Sequence, residues 1–392
     1  MILRQLPFEY AYRNLGRSRV RLLASIIGAT LVVLLVLSAA GFVRGMQMTL
    51  TQGQGLHENV IILSTGSEEA LERSQIDASV AGQAIASLPG LVERGGVVYA
   101  SPEINIALPI NADASDTTPR QAVIRGVRPV AFLVHSEVEI VEGRQPRAGH
   151  DEIIVGALAA TRLGLPDARL AVGQTLRFDN RDWTIVGRFR APNTVMDAEV
   201  WMPIIDLQVA TKREATLSAV VVSLDTATFA DVDFFAKGRL DLEITAMREA
   251  DYYASINEFY RPIRVMVIVT AALIAIGGLL GGLNTMYAAF AARVREIGTL
   301  QSLGFTRPAI VASLTEESLF AAAIGTVIGS VLGLLLLDGL AVKFSMGAFA
   351  LTLDPAVMLA GIVGGVLVGL VGAVPPAVRC LRLPIPQALK MH

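Results

Sequence analysis

Four long apolar runs divide this chain unevenly, at residues 22–43, 265–290, 309–337 and 357–374. Each is near or above the roughly 20 apolar residues needed to cross the hydrocarbon core of a bilayer. A block of more than two hundred residues with ordinary soluble patterning separates the first run from the other three. The pattern predicts a membrane α-helical protein with four transmembrane helices. A large mixed α/β extracytoplasmic domain is inserted between helices 1 and 2.

The extracytoplasmic block reads as mixed because two periodicities alternate within it. Short β-branched runs at 59–63, 96–99, 122–125, 152–155, 183–186 and 220–224 lie between turn signals and predict strands. Helical patterns at 79–88 and 157–163 end at Pro89-Gly90 and Gly164. Two further helices, 45–56 and 250–262, bracket the block as stalks, with Pro262 expected to kink the second where it enters the bilayer.

Basic residues orient the spans. The net charge of -2 says little, but Arg4, Arg13, Arg17, Arg19 and Arg21 precede the first run. Arg293, Arg295 and Arg307 fall between the second and third, and Arg379, Arg382 and Lys390 follow the fourth. The loop between the third and fourth has Lys343 alone, offset by Asp338 and Asp354. The positive-inside rule therefore puts both termini and the Arg295 loop in the cytoplasm. Residues 1–21 become a cytoplasmic amphipathic segment, with Arg13, Arg17 and Arg21 on one helical face against anionic headgroups. The spans are then 22–44, 262–292, 309–337 and 357–375. The domain is 45–261, the cytoplasmic elbow 293–308, the short outer loop 338–356 and the tail 376–392. The first run exceeds the roughly 7–15 residues of a signal-peptide core, so it is read as a retained span.

Candidate chemistry narrows the classes. The chain is 53% hydrophobic with 17% charged residues, and none of those charges falls in the middle of a span. Glu316 and Glu317 lie near the cytoplasmic end of the third. Ion-coupled carriers keep charged groups at depth because they use them, so that class is disfavoured. There is no G-x-x-x-x-G-K-[ST] loop and no H-E-x-x-H. His57, His135, His150 and His392 have no ligand spacing and are read as surface or loop residues. Cys380, the one cysteine, falls in the cytoplasmic tail, so the exported domain has no disulfide. Glycines recur at four-residue spacing: Gly277 and Gly281; Gly325, Gly329 and Gly333; Gly361, Gly365 and Gly369. Each set shares one helical face and predicts close helix packing.

The elbow carries the most specific pattern. Arg293 and Glu296 are placed to pair at i, i+3, Ile297, Leu300 and Leu303 form an apolar stripe, and Gly304 is placed to end the helix. Thr306 and Pro308 suit the start of the next helix. The segment is either an ordinary interfacial turn or a docking element for a cytoplasmic partner.

Here the chain resembles the MacB/FtsX-like permeases of ABC transporters. The family's R-x-R-E-I-G-x-L-x-x-L-G pattern stands as Arg293-Val-Arg-Glu-Ile-Gly-Thr-Leu-Gln-Ser-Leu-Gly304, preceded by Asn284-Thr-Met286. Arg13-Asn14-Leu15 with Arg17 is similar to its N-terminal segment, and Pro376 to Arg379 with Arg382 and Pro384 to its ending. Gly143, Arg144 and Pro146, then residues 152–156, are similar to its exported core. The resemblance implies a permease subunit, not an enzyme, in a bacterial plasma (inner) membrane. A separate ATPase dimer would hold ATP and Mg, and no cofactor would be bound by this chain. Partners implied are that ATPase, a second permease copy in a homodimer, a periplasmic adaptor in a double-membrane envelope, and membrane lipids; nucleic acid is not among them. Arg293, Arg295, Glu296, Ile297, Gly298, Leu300, Leu303 and Gly304 would couple to the ATPase, supported at the cytoplasmic end by Arg13, Asn14, Arg17 and Glu317. ATP-driven motion would reach the exported domain as mechanotransmission. Export or extraction of lipid, lipoprotein, peptide or drug all remain open. So does the alternative of a membrane-anchored sensor, scaffold or regulator of a cell-wall hydrolase.

Overall fold

The computed structural model describes residues 19–51, 56–344 and 347–382. Gly45–Arg261 together with Ala341–Ala350 packs as one unit, and the remaining described residues pack as another. Arg13, Asn14 and Arg17, and the tail from residue 383, lie outside the described residues. Among those described, four helices are long and apolar enough to cross a membrane. The first is α1 (Arg19–Thr51).

The exported unit is built on one ten-stranded sheet. Its strands in chain order begin with β1 (Glu58–Ser64), β2 (Ala100–Ile110), β3 (Arg120–Val127), β4 (Glu139–Gly143) and β5 (Glu152–Gly156). They continue with β6 (Thr175–Phe178), β7 (Arg181–Arg190), β8 (Val200–Pro203), β9 (Ala219–Leu224) and β10 (Ile244–Arg248). Spatially the order is β10-β1-β9-β2-β3-β8-β5-β7-β4, with β6 on β7. Most neighbours are antiparallel, but β3 with β8 and β5 with β7 run parallel, so the sheet is mixed. Around it stand α2 (Val80–Ser87), α3 (Ala131–Val134), α4 (Ala159–Leu163), α5 (Ile204–Thr211), α6 (Phe229–Gly238) and α7 (Glu249–Phe259).

Alternation explains why β1 and β9 read as unbroken apolar runs. Val60, Ile62, Val220 and Val222 enter one core with Val80 and Ala84 of α2. Ile61, Leu63, Ala219 and Val221 enter a second, on the opposite face, with Tyr252 and Tyr253 of α7. Strands covered on both faces lose the apolar-polar alternation of a half-exposed sheet. Gly164 ends α4 at φ +65°, the left-handed turn expected of it.

Three sequence expectations change. The break between stalk and span falls at Tyr260, two residues before Pro262. There α7 ends at Phe259 with Tyr260 as its cap, and α8 (Arg261–Ala291) begins with Pro262 in its first turn, where a missing N–H costs nothing. Residues 338–356 are more than a loop. They hold a hairpin, β11 (Ala341–Phe344) and β12 (Gly347–Ala350), which packs with the exported unit. Within that unit Gly45 lies so close that an added Cβ would sit 2.2 Å from the Ala350 carbonyl oxygen. Finally, α3, α5, α6, β2, β4, β6, β8 and β10 were not foreseen; β2 was missed because it buries Ser101, Glu103 and Asn105 where a strand pattern calls for apolar residues.

In the membrane unit, α9 (Val294–Ser302), α10 (Arg307–Leu336) and α11 (Pro355–Cys380) follow α8. The glycine faces of α10 and α11 are close approaches. A Cβ on Gly325 would meet Ile26 O of α1 at 2.6 Å, and one on Gly329 would meet Thr30 O at 3.0 Å. Thr30 Oγ1 donates to Gly325 O at 3.1 Å. Leu37 of α1 presses on both Gly333 and Gly361, at 2.6 and 2.7 Å from their would-be Cβ atoms. Gly365 leaves room for Thr326 of α10, and Gly369 for Ala322. Small residues let these backbones meet without a hydrophobic driving force. Gly277 and Gly281 differ: among the described residues, a Cβ on either meets nothing within 4 Å. Arg44 Nε donates to Asp354 Oδ2 at 2.6 Å, while Asp354 Oδ1 accepts from Val357 N and caps α11.

Candidate functional site

The elbow folds as a short helix held at both ends. Arg293 precedes α9, donating through Nε to Glu296 Oε2 and through Nη1 to Glu317 Oε2 of α10, each at 3.0 Å. Val294, Ile297 and Gly298 are buried. Ile297 packs with Phe290, Ile310, Leu314, Ala377 and Leu381, and Leu300 lies half-covered against the same cluster. At the far end Gly304 turns the chain at φ +91°, and Phe305 N donates to Leu300 O across the turn. Thr306 occupies the cap position of α10, but its hydroxyl makes no capping bond.

These contacts leave one face of α9 outward. Arg295, Thr299, Ser302 and Leu303 are exposed, at the i, i+4, i+7, i+8 spacing of a helical stripe. The expected stripe of Ile297, Leu300 and Leu303 therefore splits. Ile297 and Leu300 fix the helix to its own protein, whereas Leu303 is 60% exposed beside the Gly304 turn. The hydroxyls of Thr299 and Ser302 are satisfied by Arg295 O and Thr299 O of the same helix. What remains for a partner is a guanidinium at one end and a leucine at the other.

A second polar constellation lies inside the exported unit and was not anticipated. His135, read from sequence as a surface or loop residue, is fully buried. Its Nε2 meets Glu103 Oε1 at 2.7 Å, and Glu103 Oε2 accepts from Arg125 Nη1 at 2.6 Å. Arg125 then grips both oxygens of Glu199, Nε at 2.7 Å and Nη2 at 2.8 Å, and Trp201 Nε1 donates to Glu199 as well. Asn59 joins the α7 carboxylate Glu249 to this region at 2.8 Å. Burial alone would strip the proton from His135, but the adjoining Glu103 carboxylate overrides it and raises the imidazole to about 10. Burial likewise opposes ionisation of Glu103, yet His135 and Arg125 hold it down at about 2. Both groups stay charged because each buried charge has a partner. Glu103 and Arg125 sit on the adjacent strands β2 and β3, and Glu199 immediately precedes β8, so spacing alone gave no signal of the cluster.

Among the described residues, no group of His, Cys, Asp and Glu is arranged to hold a metal ion. The family model of the MacB-like periplasmic core domain matches residues 22–233, and that of the FtsX-like permease C-terminal region matches residues 268–385. The chain is 27% identical over 259 residues to the macrolide export ATP-binding/permease protein MacB of Nitrobacter winogradskyi, a match covering 62% of this chain. It spans 39% of that relative's length. The periplasmic region of MacB from Actinobacillus actinomycetemcomitans aligns over 52% of this chain and 94% of its own, with 10% identity and a TM-score of 0.39. The extracellular domain of the noncanonic ABC-type transporter YknZ from Gram-positive bacteria aligns over 48% of this chain and 98% of its own, with 10% identity and a TM-score of 0.36.

Proposed function

Because the chain belongs to the MacB/FtsX-like family of ABC transporter permeases, we propose that it couples ATP hydrolysis on a separate ATPase subunit to movement of its extracytoplasmic domain. In this reading ATP and Mg bind the ATPase dimer, and this chain binds neither. Two permease copies form the membrane part. The protein sits in a bacterial plasma membrane with α9 and both termini in the cytoplasm, and the positive-inside distribution of arginines supports that orientation.

One observation carries the reading: α9 presents Arg295, Thr299, Ser302 and Leu303 outward while Ile297 and the Arg293–Glu317 pair fasten it to α10. A push on the outer face is thereby delivered to a membrane helix. Lack of charge in mid-span supports work done without a polar route through the bilayer. The test is ATPase stimulation in liposomes containing permease and ATPase. Arg295→Glu is expected to abolish stimulation while membrane insertion is retained. Undiminished stimulation by that variant, at equal incorporation, would refute the docking role.

A further inference from the structure

Beside the buried charge network the exported unit contains a cavity of about 670 Å³. That is within the roughly 300–1,000 Å³ of small-molecule sites. Its walls are mainly apolar: Tyr252, Tyr253, Ile256 and Tyr260 from the α7 segment, and Phe344 and Phe349 from the hairpin. Tyr260 and Phe344 meet edge to face, with ring centroids 4.6 Å apart. The inner end is polar, where Asn105, Arg125 and Glu199 reach the cavity.

Asn105 is the informative residue. It lies directly opposite Arg125 in the β2–β3 register, and two residues from Glu103 on the same face of β2. Although Asn105 is only 3% exposed, neither the nitrogen nor the oxygen of its amide has a hydrogen-bond partner among the described residues. Its backbone is satisfied, with both N and O bonded to Ser218 Oγ. A buried amide left bare in this way is costly and calls for a partner.

Neighbouring charges determine what that partner can be. Arg125 gives three of its five N–H groups to Glu103 and Glu199, these two carboxylates more than balance its charge, and both Glu199 oxygens are engaged. The cluster therefore offers an anionic headgroup no excess positive charge. At the rim Glu69 and Glu72 outnumber Arg73, which also opposes an anion. An uncharged group presenting an acceptor beside a donor matches the Asn105 amide.

We infer that this cavity binds an uncharged amphiphile, its apolar or aromatic body between Tyr252, Tyr260 and Phe349 and its carboxamide head paired with Asn105. The segments supplying the walls adjoin the membrane helices in sequence: Met46 and Thr49 lie just beyond the first apolar run, Tyr260 just before the second, and the hairpin between the third and fourth. The inference does not depend on α9 or on an ATPase.

The full-length protein in lipid nanodiscs tests it. Two photoreactive probes are compared, a diazirine-bearing long-chain primary amide and the carboxylate of the same chain, and labelled peptides are mapped. The amide is expected to label the 252–260 and 347–349 regions about tenfold more than the carboxylate, the effect of one hydrogen-bonded pair. Asn105→Leu should remove that preference, and Ile256→Trp should block labelling by filling the cavity from another wall. Equal labelling by the two probes, labelling unchanged in both variants, or labelling confined to the membrane helices would each overturn the inference. Thermal midpoints of the variants close to wild type separate loss of binding from loss of fold.

Discussion

Arg293 Nη1 and Glu317 Oε2 meet at 3.0 Å across 24 residues of sequence, tying the start of α9 to the interior of α10. Both side chains are largely shielded, at 14% and 7% exposure. Removing one partner of such a pair is worse than removing both, since a shielded charge is left behind. Arg293→Ala is expected to cost about 3 kcal/mol, and the Arg293→Ala/Glu317→Ala double variant less. Thermal unfolding of the four proteins of this cycle in detergent measures the coupling. Additive effects would show that the two side chains are not coupled.

The exported unit should have a stability maximum in mildly acidic solution. Folding raises His135 to about 10, so its contribution is complete below its ordinary value of 6.5 and fades as pH climbs through about 10. Glu103 moves the other way, to about 2; its contribution is complete above its ordinary 4.5 and fades as pH falls through about 2. Glu137, Glu249 and Arg125 face the same imidazole and carboxylate and remain in place in the comparison. His135→Gln should flatten the alkaline limb of the thermal midpoint against pH and shrink the acid limb, because the imidazolium also helps Arg125 hold Glu103 down. An alkaline limb identical to wild type would exclude His135 as its source.

Glycine substitutions should separate two kinds of helix face. Gly365→Val forces a side chain into Thr326, and Gly325→Val into the backbone of α1, so each should lower the thermal midpoint by several degrees, the scale of about 2 kcal/mol of overpacking. A Cβ at Gly277 or Gly281 meets nothing within 4 Å among the described residues, so Gly277→Val and Gly281→Val should leave the midpoint of the isolated subunit close to wild type. Detergent-solubilised subunit, scanned at low concentration, distinguishes the two classes.

Gly45 provides a local test of the hairpin. Any side chain there would collide with the Ala350 carbonyl, so Gly45→Val should free Ala341–Ala350 from its seat. Amide exchange in that segment is expected to rise at least tenfold, with exchange in β1 and β9 unchanged.

The membrane helices were plain in the sequence because length and apolarity alone define them, and the elbow because caps, turn glycine and charge pairing fall within twelve residues. The burial of β1 and β9 was legible for the same reason, as runs of Val and Ile. Long-range polar partnership was not. His135 carries no local mark of being buried, since its charge is sustained by Glu103 from a distant strand. β2 was hidden because the residues it buries, Glu103 and Asn105 among them, look like surface. The hairpin at 341–350 was hidden by its few residues, and its importance lies in what it packs with.

β1 has a consequence for biogenesis. Its two neighbours in the sheet are β9, which pairs Glu58 with Leu224, and β10, which pairs Val60 with Arg248. When the first strand emerges beyond the membrane, neither neighbour has yet been synthesised. Its apolar edge must wait while nearly the whole exported unit passes across, and closure of the sheet is the last step before the second span inserts. Such late, non-local pairing is slow and leaves a sticky edge. Cells making this protein thus need translocation and chaperoning to stay in step until residue 248 has crossed.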